Sequence, residues 1–236
     1  MKRRRKVYGI LVAWLTVLLF PSCREDKVST GNPLFQQLLP DRTGIYFNNQ
    51  VTDTREFNIF KYRNFYNGAG VAIGDVNNDG RPDIFFTSNQ HENKLFINQG
   101  NWKFEDVTRS AGLTSTHQWH TGVTMVDING DGWLDIYVCN SGDIPGDDRS
   151  NELYINQRDG SFREEAHAYG LDDKGKSTQA VFFDYDHDGD LDCFVLNNSN
   201  RSVESFGYNP FQRNVRDPVN GDRLYRNDQG KFTDVS

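Results

Sequence analysis

Cysteine, proline and surplus positive charge are all scarce in this chain. It carries 3 Cys and 7 Pro in 236 residues, and 26 Lys and Arg stand against 33 Asp and Glu, for a formal charge of −7. That acidic balance argues against a nucleic-acid groove or a polybasic membrane patch. Low proline beside 21 Gly, 36% hydrophobic and 13% aromatic residues suits a turn-rich β domain rather than a disordered one. Catalytic signatures are missing too. There is no G-x-S-x-G elbow, no HExxH and no phosphate-cradling glycine loop, so the chain does not read as an enzyme.

The bases cluster at one end. "KRRRK" at 2–6 precedes the thirteen-residue apolar run Tyr8–Phe20 and then "PSC". The run falls short of the roughly 20 residues that span a bilayer, so residues 1–23 read as a secretory signal rather than a transmembrane helix. "LFPSC" resembles a bacterial lipobox, which implies that Cys23 is a lipid anchor and that the protein is an outer-membrane lipoprotein of the cell envelope. The acids of "REDK" just after Cys23 point to its outer face. Cys139 and Cys193 then remain. They lie at different offsets in strand-like runs, so buried thiols are expected rather than a disulfide.

What the chain has in excess is a repeated acidic loop. "DVNNDGRPD", "DINGDGWLD" and "DYDHDGDLD" begin at Asp75, Asp127 and Asp184 and share the pattern D-x-[DN]-x-D-G-x-x-D. Carboxylates packed this closely repel one another unless a cation lies between them. Alternate side chains of a tight turn converge on one point, and oxygen donors suit Ca²⁺ over softer metals or the stricter octahedron of Mg²⁺. The expected side-chain ligands occupy positions 1, 3, 5 and 9. These are Asp75, Asn77, Asp79 and Asp83; Asp127, Asn129, Asp131 and Asp135; Asp184, Asp186, Asp188 and Asp192. Backbone carbonyls of Arg81, Trp133 and Asp190 would add position 7. Gly80, Gly132 and Gly189 at position 6 are expected where a Cβ would obstruct the turn. Three such ions would bring the chain close to neutrality. Position 12 is Phe86, Val138 or Val195 instead of the bidentate Glu of an EF-hand, which excludes that motif.

Around each loop the same elements recur. An apolar run enters ("GVAIGD", "GVTMVD", "AVFFDYD"), another leaves ("DIFFTS", "DIYVCN", "DCFVLN"), and a strand, polar turn and strand follow. Four short strands at a period near fifty predict an all-β fold, a β-propeller of four-stranded blades, here a partial one of about three blades. The repeat over 64–236 resembles the FG-GAP or VCBS family, whose calcium-loop blades also build the integrin α head. "YNGAGVAIGDVNNDGRPDIFF" and "KFEDVTRSAGL" look closer still to the bacterial relatives of cartilage acidic protein 1. That family implies further blades and an ASPIC/UnbV domain, neither of which is in this sequence. Residues 24–63 form an N-terminal segment. In it, Phe35–Ile45 repeats the outgoing pattern of a blade and reads as an outer strand that would close the ring with partners beyond residue 236.

The expected function is a calcium-binding scaffold that binds a surface protein or a glycan. The alternative class is a polysaccharide-processing enzyme of the calcium-containing propeller-lyase type. Loops of a meander alternate faces, so the acidic loops share one face with the "NQGN", "RDG" and "DQG" turns. The long connections share the other. The longest runs from Asp192 to Asn227 and holds Phe206, Tyr208, Phe211, Arg213 and Arg216, a composition suited to partner binding. His120, in "HQWH", reads as a turn residue near the propeller mouth and joins that candidate set.

Overall fold

Three antiparallel sheets of four strands each are formed in strict chain order. The first holds β1 (Val71–Gly74), β2 (Asp83–Phe86), β3 (Lys94–Gly100) and β4 (Lys103–Asp106). The second holds β5 (His120–Val126), β6 (Asp135–Asn140), β7 (Glu152–Asn156) and β8 (Phe162–Glu164). The third holds β9 (Ser177–Phe183), β10 (Asp192–Asn197), β11 (Arg223–Asn227) and β12 (Phe232–Asp234). This computed structural model describes residues 34–199, 219 and 221–236. The signal segment, Cys23 and the aromatic and arginine residues Phe206, Tyr208, Phe211, Arg213 and Arg216 lie outside the described residues. All three sheets belong to the unit Leu38–Ser236.

The meander predicted for each repeat is present, and the sheets are propeller blades. Their innermost strands lie side by side. Thr121 Oγ1 donates to Ser177 O and Thr124 Oγ1 to Ala180 O, both at 2.7 Å, from β5 to β9. Gly122 permits this approach, since a Cβ there would meet Thr178 O at 2.4 Å and Gln179 Cα at 2.9 Å.

Side-chain alternation then divides the core between blades. In β6, Ile136 and Val138 pack with Phe85, Leu95 and Val123 toward the first blade, while Tyr137 and Cys139 pack with Ala180, Cys193 and Val195 toward the third. Every residue of β6 is buried because both faces of the middle sheet are covered. Each such large apolar side chain contributes roughly 1.5–3 kcal/mol. The outer sheets differ. Val71 and Ile73 of β1 and Val181, Phe183 and Leu196 of the third blade remain exposed. Cys139 and Cys193 are free, buried thiols, as expected, and burial pushes both thiol pKa values up, out of reach of thiolate chemistry at neutral pH.

Two corrections concern connections. Phe35–Ile45 forms no strand. Residues Pro40–Thr43 make a single helical turn, α1, capped by Gly44 in the left-handed conformation. Ala166–Tyr169 makes the equivalent turn, α2, capped by Gly170. The repeat equivalence itself is real. A Cβ on Gly44, Gly112 or Gly170 would meet the carbonyl oxygen of Phe104, Phe162 or Phe232, so each outgoing turn packs on the fourth strand of a following blade. The second correction concerns "HQWH". Trp119 is buried at 1% exposure, against Phe57, Tyr62 and Phe65, with ring centroids 4.9–5.6 Å away. His120 begins β5 and is buried, not a turn residue on the surface.

Candidate functional site

Each acidic loop joins the first strand of a blade to the second and is folded by its own carboxylates. One oxygen of the position 1 residue accepts the N–H of position 6: Gly80 to Asp75 at 2.7 Å, Gly132 to Asp127 at 2.8 Å, Gly189 to Asp184 at 3.2 Å. The position 5 carboxylates of Asp79, Asp131 and Asp188 accept the N–H of Arg81, Trp133 and Asp190. Among the described residues, three carboxylates of one loop bring their oxygens within 4.8 Å of one another in the third loop alone, in Asp184, Asp186 and Asp188.

The glycine of position 6 owes its place to backbone conformation. Gly80, Gly132 and Gly189 have φ of 82, 86 and 99°, but a Cβ on any of them would meet no atom within 4 Å. The expectation of obstruction is therefore corrected: the left-handed backbone, not crowding, selects glycine. Position 4 is left-handed as well, in Asn78, Gly130 and His187, a feature the pattern D-x-[DN]-x-D-G conceals.

Position 9 does more than face a cation. Asp83, Asp135 and Asp192 are fully buried, and each ties the loop to the third strand. One oxygen accepts the N–H of position 2 (Val76, Ile128, Tyr185) and the other that of Asn98, Asn156 or Asn227 at 2.8 Å. Those asparagines return a side-chain bond to Pro82 O, Leu134 O and Leu191 O. The sequence signal for this clamp is the Asn that closes "FIN", "YIN" and "YRN". Arg81 Nε also reaches Asn98 O, so the acidic loops and the third-to-fourth strand turns share a face as predicted.

Burial pushes the Asp135 carboxyl up to about 6 against its two backbone bonds, with Asp131 and Asp127 adding repulsion. Burial likewise raises Asp83. In the third loop, desolvation and then neighbouring carboxylates raise Asp186 and Asp190. The loops differ in counter-charge. Arg81 pairs with Asp79, and Arg158 pairs with Asp131 at 2.7 Å. Among the described residues no base pairs with Asp184, Asp186 or Asp188, whose oxygens lie within 4.8 Å of one another. Asp190 Oδ1 is buried without a partner. An all-oxygen donor set with anions this poorly compensated fits Ca²⁺.

A second polar cluster lies at the other end of β5. His120 Nδ1 is 2.7 Å from Asn140 Oδ1, and the Asn140 amide nitrogen donates to Ser150 O and Glu152 Oε2. Nδ1 is therefore the donor, and burial lowers the His120 pKa. His117 Nδ1 is 2.7 Å from Asp147 Oδ1, and that hydrogen bond raises the His117 pKa. The two imidazoles should titrate on opposite sides of 6.5, His117 above and His120 below. Histidine-selective NMR between pH 5 and 8 checks this order. Stability follows with opposite signs: His117 contributes on the acid side and loses its contribution as pH rises through its folded pKa, whereas the His120 contribution is present above 6.5 and lost on acidification.

A model of the FG-GAP-like repeat matches residues 75–138 and 141–195, about half of the chain and all three acidic loops. The chain belongs to the FG-GAP-like repeat family. Its repeats are similar to cartilage acidic protein 1, at 41% identity over 73 residues for Mus musculus and 38% for Homo sapiens. Those 73 residues are 31% of this chain and 11% of the relative, so the match spans a small part of that protein's length. Among solved structures, a lectin of Agrocybe aegerita studied for recognition of non-reducing terminal N-acetylglucosamine aligns at TM-score 0.38 and 18% identity. That alignment covers 69% of this chain and 36% of the lectin.

Proposed function

We propose that the FG-GAP-like repeats form a calcium-stabilised scaffold, carried on a cell-envelope lipoprotein, that holds binding surfaces for a surface protein or a glycan. The observation that supports this reading most directly is the threefold recurrence of one self-bonded carboxylate loop, tied to its blade by a buried aspartate. Asp75, Asn77, Asp79 and Asp83, with their counterparts in the other blades, would hold the ions between strands of a single blade. An ion enclosed there serves architecture rather than turnover. The third loop, with five aspartates and no paired base among the described residues, is the site most in need of a cation.

Calorimetric titration with Ca²⁺ tests the reading. Three ions should bind per chain, and Asp188→Ala should remove one; an unchanged stoichiometry would overturn the ligand assignment. Uronate-polymer cleavage, expected of a propeller-type lyase, should be absent. Anchoring through Cys23 is checked separately. Stable membrane association needs more than one acyl chain, so Cys23→Ser should move the protein from the membrane fraction to the soluble one. Retention of the variant in membranes would sink the anchor.

A further inference from the structure

A cavity of about 700 Å³ opens beside the first and second blades and is lined by both His117 and His120. Its size falls within the range of small-ligand sites. Asn93, Thr114, Ser115 and Gln118 join the two histidines in its wall, and Leu113 and Ile144 supply an apolar face. We propose that this cavity is a binding site for an uncharged, hydroxyl-rich ligand, a short saccharide, read by the Nε2 atoms of His120 and His117 as hydrogen-bond acceptors. This rests on the scaffold reading above and assigns its ligand surface.

The assignment follows from how each ring is held. His120 is 2% exposed, and its Nδ1–H is committed to Asn140 Oδ1, whose amide is itself fixed by Ser150 O and Glu152. The remaining nitrogen, Nε2, carries a lone pair. Glu152 is in turn held by Tyr154 OH at 2.9 Å, so the acceptor is preorganised from behind. His117 is oriented by Asp147, which also accepts the N–H groups of Gln118 and Arg149. A hydroxyl both donates and accepts, and so can donate to either histidine Nε2 and accept from the Thr114 and Gln118 side chains of the same wall. An anionic ligand would meet the carboxylates of Asp147, Glu152 and Asp148 behind the same wall. A metal shared by the two histidines is less favoured, because His120 and His91 join no cluster of candidate ligand atoms among the described residues and the His117 Nδ1 that lies near Asp147 and Asp148 is already hydrogen-bonded to Asp147. The apolar patch of Leu113 and Ile144 offers a face for the C–H surface of a sugar ring.

The test is titration of the calcium-loaded full chain with three probes: neutral tri- and tetrasaccharides on an array and by calorimetry, oligouronates, and Zn²⁺. Neutral saccharides should bind. His120→Gln and His117→Gln should each weaken that binding at least tenfold, with melting temperature and calcium stoichiometry retained. His167→Gln, on an exposed ring outside the cavity, should leave it unchanged. Absence of neutral-saccharide binding to protein that holds three calcium ions would overturn the site and leave the scaffold standing. Binding insensitive to both histidine variants, a preference for oligouronates, or tight Zn²⁺ binding lost in His120→Gln would overturn it as well. Failure to bind three calcium ions would count against the scaffold reading alone.

Discussion

Chelation of calcium should lower the melting temperature by about 10 °C. A site held at ten times its dissociation constant adds about 1.4 kcal/mol, so three sites add about 4 kcal/mol. For a domain of this size each kcal/mol shifts the midpoint by about 2–4 °C. The effect should also depend on pH. Without a cation the buried Asp135 carboxyl has its folded pKa raised to about 6, so its contribution favours the fold on the acid side and is lost as pH rises through 6. Between pH 7 and pH 5 the chelated protein should recover about 1 kcal/mol through this group. Calcium acts in the opposite direction, because it requires the ionised carboxylate. The difference in melting temperature with and without calcium should therefore shrink at pH 5. Scanning calorimetry of both forms across that range measures it, and a difference that stays constant would mean that Asp135 does not face the ion.

Trp119→Ala should cost about 3–5 kcal/mol, the range for truncating a large buried aromatic. Its ring lies edge-on to Phe57 and Tyr62 and tilted against Phe65, which together fasten the segment before the first blade to the start of β5. Tyr62 adds a buried bond to Ser141 Oγ at 2.8 Å, and Ser141 N in turn donates to Trp119 O. The variant should therefore lose hydrogen-exchange protection at Tyr62 and Phe65 before the blades themselves open. Trp102→Ala makes the contrast. That side chain is largely exposed, and its loss should change stability by no more than about 0.5 kcal/mol. Equal costs for the two variants would mean that the aromatic cluster does not hold the N-terminal segment.

The sequence by itself determined the repeat. The spacing of Asp75, Asp127 and Asp184, the apolar runs on either side and the polar turns are local features. A four-stranded meander is made from neighbours in the chain, so its order, its turns and the sharing of one face by the acidic loops were legible without coordinates. The buried state of Cys139 and Cys193 was legible for the same reason, since both lie within apolar strands.

Only the tertiary structure decided the rest. Whether β6 buries one face or two depends on the sheets beside it, which come from residues far along the chain. Likeness to the outgoing pattern gives "FQQLLPDRTGI" the look of a strand, yet Pro40–Thr43 closes into the same helical turn that Ala166–Tyr169 makes after β8, and its Gly44 packs on Phe104. The glycines of position 6 answer to a backbone angle, which composition cannot separate from crowding. Asp83, Asp135 and Asp192 look like ligands alone, because the backbone N–H groups of Asn98, Asn156 and Asn227 that also donate to them come from a strand 15 to 35 residues away. "HQWH" reads as a polar turn until Phe57, Tyr62 and Phe65 arrive to cover Trp119, and until Asn140 turns the buried His120 into an acceptor beside a cavity. Each of these depends on partners distant in sequence, and local pattern carries no record of which distant residues meet.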